Sequence, residues 1–117
     1  MNVEYIVTNE YLTQKGLNLE DYALDGTLIN AIINVGLDLL VTRISYLNDD
    51  MKGEASIETF LDENPTLVNT FFKAQYRIIH NLVFQNDTSP TDKFVDDIIV
   101  FELGLGKING FQKGLYR

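Results

Sequence analysis

Residues 27–48 form a long and mainly apolar stretch, TLINAIINVGLDLLVTRISYLN. The polar residues Asn30, Asn34 and Asp38 recur every four positions, a spacing that places them in one narrow stripe along a helix. The apolar positions cover an arc much wider than one third of the helix circumference. The pattern predicts a long helix that is either central in a small bundle or packed on one flank against another subunit. The polar interruptions indicate that this helix does not span a membrane.

The remaining pattern predicts several further helices. Apolar residues at helical spacing indicate helices at 10–15, 57–63, 65–84 and 90–103. The predicted N-caps are Asn9, Ser56, Asn64 and Ser89. Residues 3–7 are predicted to form an extended arm, and Phe94, Ile98 and Phe101 to face inward from the last helix. The fold class is therefore all-α: a small bundle of four to five helices, two of them long, with an extended N-terminal arm and a C-terminal tail.

The chain changes character after the last predicted helix. Residues 104–117, GLGKINGFQKGLYR, contain four glycines and show no helical periodicity. The sequence thus predicts a helical domain at 1–104 and an extended C-terminal docking tail at 105–117. The tail residues expected to bind a partner are Lys107, Ile108, Phe111, Lys113, Leu115, Tyr116 and Arg117. The alternative is a strap that folds back on its own domain.

The charge of −8 is distributed unevenly along the chain. Residues 1–64 carry 12 acids and 3 bases, whereas residues 65–117 carry 5 acids and 6 bases. No acid follows Glu102, so every charged side chain in the tail is basic. Such an acidic chain is expected to repel nucleic acid over most of its surface, because phosphate binding requires lysine and arginine.

The candidate chemistry does not indicate an enzyme or a cofactor. The chain has no cysteine and one histidine, which excludes thiolate metal sites and multi-histidine metal sites within one chain. The adjacent acids Asp49-Asp50 and Glu20-Asp21 are expected in solvated loops, since catalysis needs carboxylates that converge in a pocket. His80 is predicted to be a half-buried structural residue of the second long helix.

The polar stripe Asn30, Asn34 and Asp38 allows two interpretations. It is either simply exposed to solvent or placed at a subunit interface, where its hydrogen bonds would fix the register between copies. These three residues are the candidate subunit-interface residues.

With this order of elements, the chain resembles the head–tail connector, or adaptor, proteins of tailed bacteriophages. The resemblance rests on Tyr11-Leu12-Thr13, on Gly16-Leu17-Asn18-Leu19 and on Leu28 and Ile32 of the central helix. Phe71, Tyr76 and Arg77 of the second long helix, followed by a shorter helix and a tail, extend it over nearly the whole chain.

The resemblance implies a structural role in the virion neck after assembly in the host cytoplasm. Such proteins form a dodecameric ring of identical copies under the portal, extend the DNA channel and carry a stopper or tail-completion protein. The tail segment, Lys107 to Arg117, would contact the portal protein, and DNA would pass without specific binding. No membrane partner is implied.

Two other functions are compatible with the pattern. One is a free-standing α-helical interaction or regulatory module, expected to be a homodimer. The other, a helix-turn-helix DNA-binding protein, is disfavoured because no helix carries a basic face.

Overall fold

Two long and three shorter α-helices build the fold. The computed structural model describes residues 1–22, 24–85 and 90–105. The α-helices are α1 Asn9–Gln14, α2 Gly26–Leu47, α3 Glu54–Glu63, α4 Val68–Phe84 and α5 Asp92–Ile98. Short 3-10 helices lie at Val3–Tyr5, Leu19–Tyr22 and Pro65–Leu67, and a π-helical turn at Ile99–Leu103 continues α5. The described ranges contain no β-strand, and the predicted all-α class is confirmed.

Helix α2 begins and ends within one residue of the predicted bounds. Asp25 is its N-cap, and the carboxylate accepts a hydrogen bond from the Leu28 N–H at 2.9 Å. Asn48 follows the last helical residue, and its N–H donates to the Ile44 carbonyl at 3.0 Å. Helix α2 therefore occupies almost the whole apolar stretch that the sequence marks.

Helices α2 and α4 pack antiparallel through the centre of the fold. Ile29 and Ile33, early in α2, share an apolar cluster with Ile79 near the end of α4. Later residues of α2 share a second cluster with Phe71, near the start of α4. The helices approach closely at Gly36, where an added Cβ would lie 2.8 Å from Cγ1 of Ile79.

The N-terminal segment is part of the core, so the prediction of an extended arm at 3–7 is wrong. Tyr5 and Val7 are only 6% and 3% exposed. The buried Gln75 of α4 holds this segment: its side-chain oxygen accepts the Val7 N–H at 3.2 Å, and its amide donates to the Tyr5 carbonyl at 2.8 Å. The segment folds inward because this one side chain satisfies two backbone groups that would otherwise be buried without partners.

The first helix is capped one residue earlier than predicted. The Thr8 hydroxyl, not Asn9, accepts the N–H of Tyr11 at 3.1 Å. Gly16 then reverses the chain with a φ of 96°, a conformation that glycine adopts without strain.

The predicted cap Ser56 is also wrong, whereas Asn64 occupies the predicted N-cap position before Pro65 but without a side-chain cap. Helix α3 starts three residues before its predicted position because Gly53, with a φ of 88°, ends the preceding turn and donates its N–H to the Ser45 hydroxyl at 2.9 Å. Ser56 therefore lies inside α3. The side chain of Asn64 turns back and donates to the Phe60 carbonyl at 2.8 Å, so it does not cap the helical segment that follows.

The last helix starts after the predicted position, and its second half has a different register. Thr91 is the N-cap and accepts the Phe94 N–H at 3.2 Å, whereas the predicted cap Ser89 lies outside the described residues. Phe94 is half-buried and Ile98 is buried, as predicted, but Phe101 is 80% exposed. The π-helical turn causes this difference, because its wider spacing brings Leu103 to the core in place of Phe101.

Leu105 is the last described residue, and it is packed on the domain although the prediction counts it with the tail. It is 9% exposed, and its carbonyl accepts a hydrogen bond from the Asn48 amide at 2.8 Å. The predicted division at 104/105 stays a prediction, since residues 106–117 lie outside the described residues.

Helix α2 is also long enough and apolar enough to span a membrane, although its polar residues led us to expect that it does not. An 18-residue window within Gly26–Leu47 has a mean hydropathy of 1.5, and 39% of that window is buried. The buried side of the helix packs on α4 and α5, as the core helix of a globular bundle does. This packing supports the prediction that α2 does not span a membrane.

Candidate functional site

Helix α2 presents three different faces along its length. The core face carries Ile29, Ile33, Leu37, Leu40 and Ile44, all of which are buried. At 100° per residue, the polar stripe and a second apolar stripe lie on the two remaining sides of the helix. Two of the three faces are therefore open to solvent in the single chain.

The polar stripe is exposed at each of the three predicted positions, Asn30, Asn34 and Asp38. Asn30 and Asn34 line an open cavity of about 440 Å³ whose other side is formed by residues 3–9. The side-chain oxygen of Asn9, which also lines this cavity, is buried and has no hydrogen-bond partner in the described structure. Exposure in one chain fits both a solvated stripe and a subunit interface, so the interface role stays a prediction.

The second open face, which we call the α2 seam, is apolar. It consists of Leu28, Ile32, Val35, Leu39, Thr42 and Tyr46. Leu28, Val35 and Tyr46 are 48%, 42% and 67% exposed, whereas Ile32 and Leu39 are half-buried at the edge of the core. The residues alternate at spacings of four and three positions, as residues do in helices that pack knobs-into-holes against a partner. At 1.5 Å per residue, the α2 seam is about 27 Å long.

The sequence contained a signal for the α2 seam, although its residues were not identified there as a separate face of the helix. The wide apolar arc predicted burial on more than one side of α2 or contact with another subunit. Periodicity alone did not separate the core face from the seam, because both faces carry isoleucine and leucine.

One end of the α2 seam is held by ion pairs to α5. The Arg43 guanidinium makes two hydrogen bonds to the Asp96 carboxylate, at 2.7 and 2.8 Å, and lies 3.3 Å from Asp92. The hydrogen bonds to Asp96 raise the pKa of Arg43. Arg43 also lies 4.4 Å from the ring centroid of Tyr46, a cation–π distance. The exposed Tyr46 ring is thereby oriented by a residue that is itself fixed.

A row of aromatic rings follows the exposed side of α4. Tyr76, His80 and Phe84 are spaced by one helical turn, with ring centroids 5.8 and 4.2 Å apart, and Tyr22 packs edge-on against Phe84 at 5.2 Å. His80 is exposed, so the prediction of a half-buried histidine is wrong. Its ring stacks on Phe84 and is tilted against Tyr76, so His80 is part of an aromatic row.

The predicted acidic pairs do not meet in a common pocket. All four acids are exposed: Asp49 and Asp50 lie in the turn after α2, whereas Glu20 and Asp21 lie in the 3-10 helix Leu19–Tyr22 and not in the predicted loop. Within the described ranges, no group of three or more histidine, cysteine, aspartate or glutamate residues is placed to hold a metal ion.

The predicted portal-binding residues, from Lys107 to Arg117, lie outside the described residues. The last described residue before them, Leu105, is hydrogen-bonded to Asn48. No protein-family profile, curated protein or solved structure matches this chain, so the resemblance to head–tail adaptors rests on the residues named above.

Proposed function

We propose that this chain is a structural subunit that assembles with copies of itself, as the ring-forming head–tail adaptor in the neck of a tailed bacteriophage. In this role it binds the portal protein, extends the DNA channel and provides the platform for a stopper or tail-completion protein. The observation that carries the proposal is the α2 seam bordered by the polar stripe Asn30, Asn34 and Asp38. Together they give one helix an apolar strip with a polar rim, which is the usual anatomy of a protein interface.

The energetics favour a covered seam. Complete burial of a large apolar side chain contributes about 1.5–3 kcal/mol, and much of the surface of Leu28, Val35 and Tyr46 is left in water in the single chain. A neighbouring copy that covers the α2 seam recovers part of this free energy. The amides of Asn30 and Asn34 can then pair across the interface and fix its register.

Residues Lys107–Arg117 are assigned to the portal in this proposal. In the sequence the segment follows Leu105 and Gly106, and Leu105 is attached to Asn48 by a hydrogen bond. Its three bases and apolar residues suit an acidic and partly apolar surface on the portal. The net charge of −8 suits a channel through which DNA passes without binding.

The test compares one substitution at two exposed valines. Val35 in the α2 seam and Val100 after α5 are 42% and 49% exposed, so Val35→Glu and Val100→Glu introduce the same charge at similar cost to the single chain. Each variant is mixed with the cognate portal protein, and rings are detected by co-sedimentation and negative-stain electron microscopy. We expect Val35→Glu to prevent ring formation, because a glutamate in an interface must be desolvated without a partner. Val100→Glu should assemble normally.

Normal assembly of Val35→Glu would show that the α2 seam is not a subunit interface. Failure of the original protein to associate with any portal would refute the adaptor role itself.

A second candidate function, a homodimeric interaction module, is favoured by the symmetry of the α2 seam. Its residues are equidistant from position 37 in three pairs, namely Leu28 with Tyr46, Ile32 with Thr42, and Val35 with Leu39. A two-fold axis at this position would therefore bring the seams of two antiparallel copies into register. Sedimentation equilibrium of the protein alone decides between the two functions. A stable dimer supports the module, whereas a monomer that assembles only with the portal supports the adaptor.

A further inference from the structure

A groove between α3 and the turn after α2, which we call the α3 groove, has the features of a peptide site. It has a volume of about 450 Å³ and is lined by Asn48, Asp50, Met51, Ser56, Thr59, Phe60, Glu63 and Leu105. Met51 and Leu105 are 6% and 9% exposed and, with the half-buried Phe60, supply an apolar floor. The hydroxyls of Ser56 and Thr59 and the carboxylates of Asp50 and Glu63 provide polar walls.

Asn48 gives this groove an unused hydrogen-bond acceptor. The residue is 2% exposed, and its amide donates to the Leu105 carbonyl at 2.8 Å. Its side-chain oxygen is buried and accepts no hydrogen bond in the described ranges. A buried acceptor without a partner is costly, so an N–H group brought into the groove would be bound favourably.

The charge of the α3 groove selects a cationic ligand. Asp50 and Glu63 are both exposed and make no ion pair with any described base, and the lining residues include no lysine or arginine. A ligand for this groove should therefore combine a backbone N–H, an apolar side chain and a positive charge.

We propose that the α3 groove binds the C-terminal segment, residues 106–117, of a second copy of this chain. The segment has the required chemistry: Lys107 precedes the apolar Ile108, Phe111 follows three residues later, and no acid lies within it. This inference rests on the proposed assembly of identical copies, in which each groove meets the segment of a neighbour. With Lys107, Ile108 and Phe111 in the groove, this inference narrows the portal contact proposed above to Lys113–Arg117.

The geometry assigns a role to each part of the groove. A backbone N–H of the segment donates to the free oxygen of Asn48, and an apolar side chain covers Met51 and Phe60. Lys107 pairs with Asp50 or Glu63 at the rim. Main-chain hydrogen bonds supply affinity, and the side-chain contacts supply specificity, as in other extended peptide complexes.

The test measures binding of a fluorescein-labelled peptide of residues 106–117 to the full-length protein by anisotropy. We compare the original protein with the double variant Asp50→Lys/Glu63→Lys. The matched control is Glu20→Lys/Asp21→Lys, which makes the same change of charge at two exposed acids outside the groove. A peptide of the same composition in scrambled order tests whether the residue order matters as well as the charge.

We expect saturable binding that weakens at least about tenfold in the groove variant, because two attractive charges become repulsive. The control variant should stay within about twofold of the original, since distant exposed charges contribute little. Absence of saturable binding, equal binding of the scrambled peptide or unchanged binding to the groove variant would each overturn the inference. The assay contains no portal protein, so its outcome is independent of whether the protein joins a virion.

Discussion

Gln75 offers the sharpest test of how the N-terminal segment is held. Its side chain is fully buried and bridges two backbone groups, the Val7 N–H and the Tyr5 carbonyl. Gln75→Leu preserves the approximate size of the side chain and removes both hydrogen bonds. The substitution therefore tests the two hydrogen bonds to residues 5 and 7 while leaving the packing of α4 nearly unchanged.

The magnitude follows from the two orphaned groups. Each buried backbone group without a partner costs about 1–3 kcal/mol, and the pair therefore costs roughly 2–6 kcal/mol. The more apolar leucine returns about 1–2 kcal/mol on burial. The middle of each range, about 4 kcal/mol of cost and about 1.5 kcal/mol of return, gives an expected net loss of about 2.5 kcal/mol in the free energy of unfolding.

Urea unfolding followed by circular dichroism at 222 nm measures this loss. Gln85→Leu is the control, because it makes the same substitution at an exposed position just after α4 and should change stability by less than about 0.5 kcal/mol. A loss below about 0.5 kcal/mol for Gln75→Leu would show that the segment does not depend on this bridge.

Three further predictions concern the core, the pH dependence and the tail. Leu40→Ala should lower the free energy of unfolding by about 2–5 kcal/mol in the same urea assay, because Leu40 is fully buried on α2. The hydrogen bond to Asp62 raises the pKa of Tyr5 to about 12. Because the pKa is raised in the folded protein, the stabilisation by this hydrogen bond is complete below about pH 10, the pKa of tyrosine in the unfolded chain. It is lost as the pH rises towards 12. Thermal unfolding between pH 9 and 12 should therefore show a steeper decline for the original than for Tyr5→Phe, and equal slopes would contradict the assignment. Deletion of residues 107–117 should change the stability of the helical domain by less than about 1 kcal/mol and abolish co-sedimentation with the portal. Unfolding of the truncated protein would instead identify an intramolecular strap.

The long helices could be predicted from the sequence because local signals agree there. In α2, the cap at Asp25, the helical spacing of the apolar residues and the stop at Asn48 all indicate one element. The cap errors at Asn9 and Ser56 have a local cause: another residue within three positions, Thr8 or Gly53, provides the helix start. Such competition between neighbouring cap residues is decided by tertiary packing.

Tertiary effects account for the larger differences. The burial of the polar Gln75 on the inner face of α4 is explained only by the backbone of residues 5–7 beside it, which accepts and donates its two hydrogen bonds. Phe101 was predicted to be inward on the assumption of a regular α-helix. The π-helical turn rotates the residues after Ile98, so that Leu103 is buried and Phe101 lies 5.7 Å from the Arg77 guanidinium. No pattern of apolar residues encodes that change of helical period.

The α2 seam shows why a candidate interface is harder to predict than a core. Both surfaces use the same residue types, and the helix wheel of α2 contains enough apolar residues for two packed faces. Only the position of α4 identifies Ile29 and Ile33 as core and leaves Leu28 and Val35 in solvent. Among the described residues, α4 and α5 cover one apolar face of α2. The second face is explained if the free energy of its burial comes from another copy, which is why Val35→Glu should damage assembly while leaving the isolated domain folded.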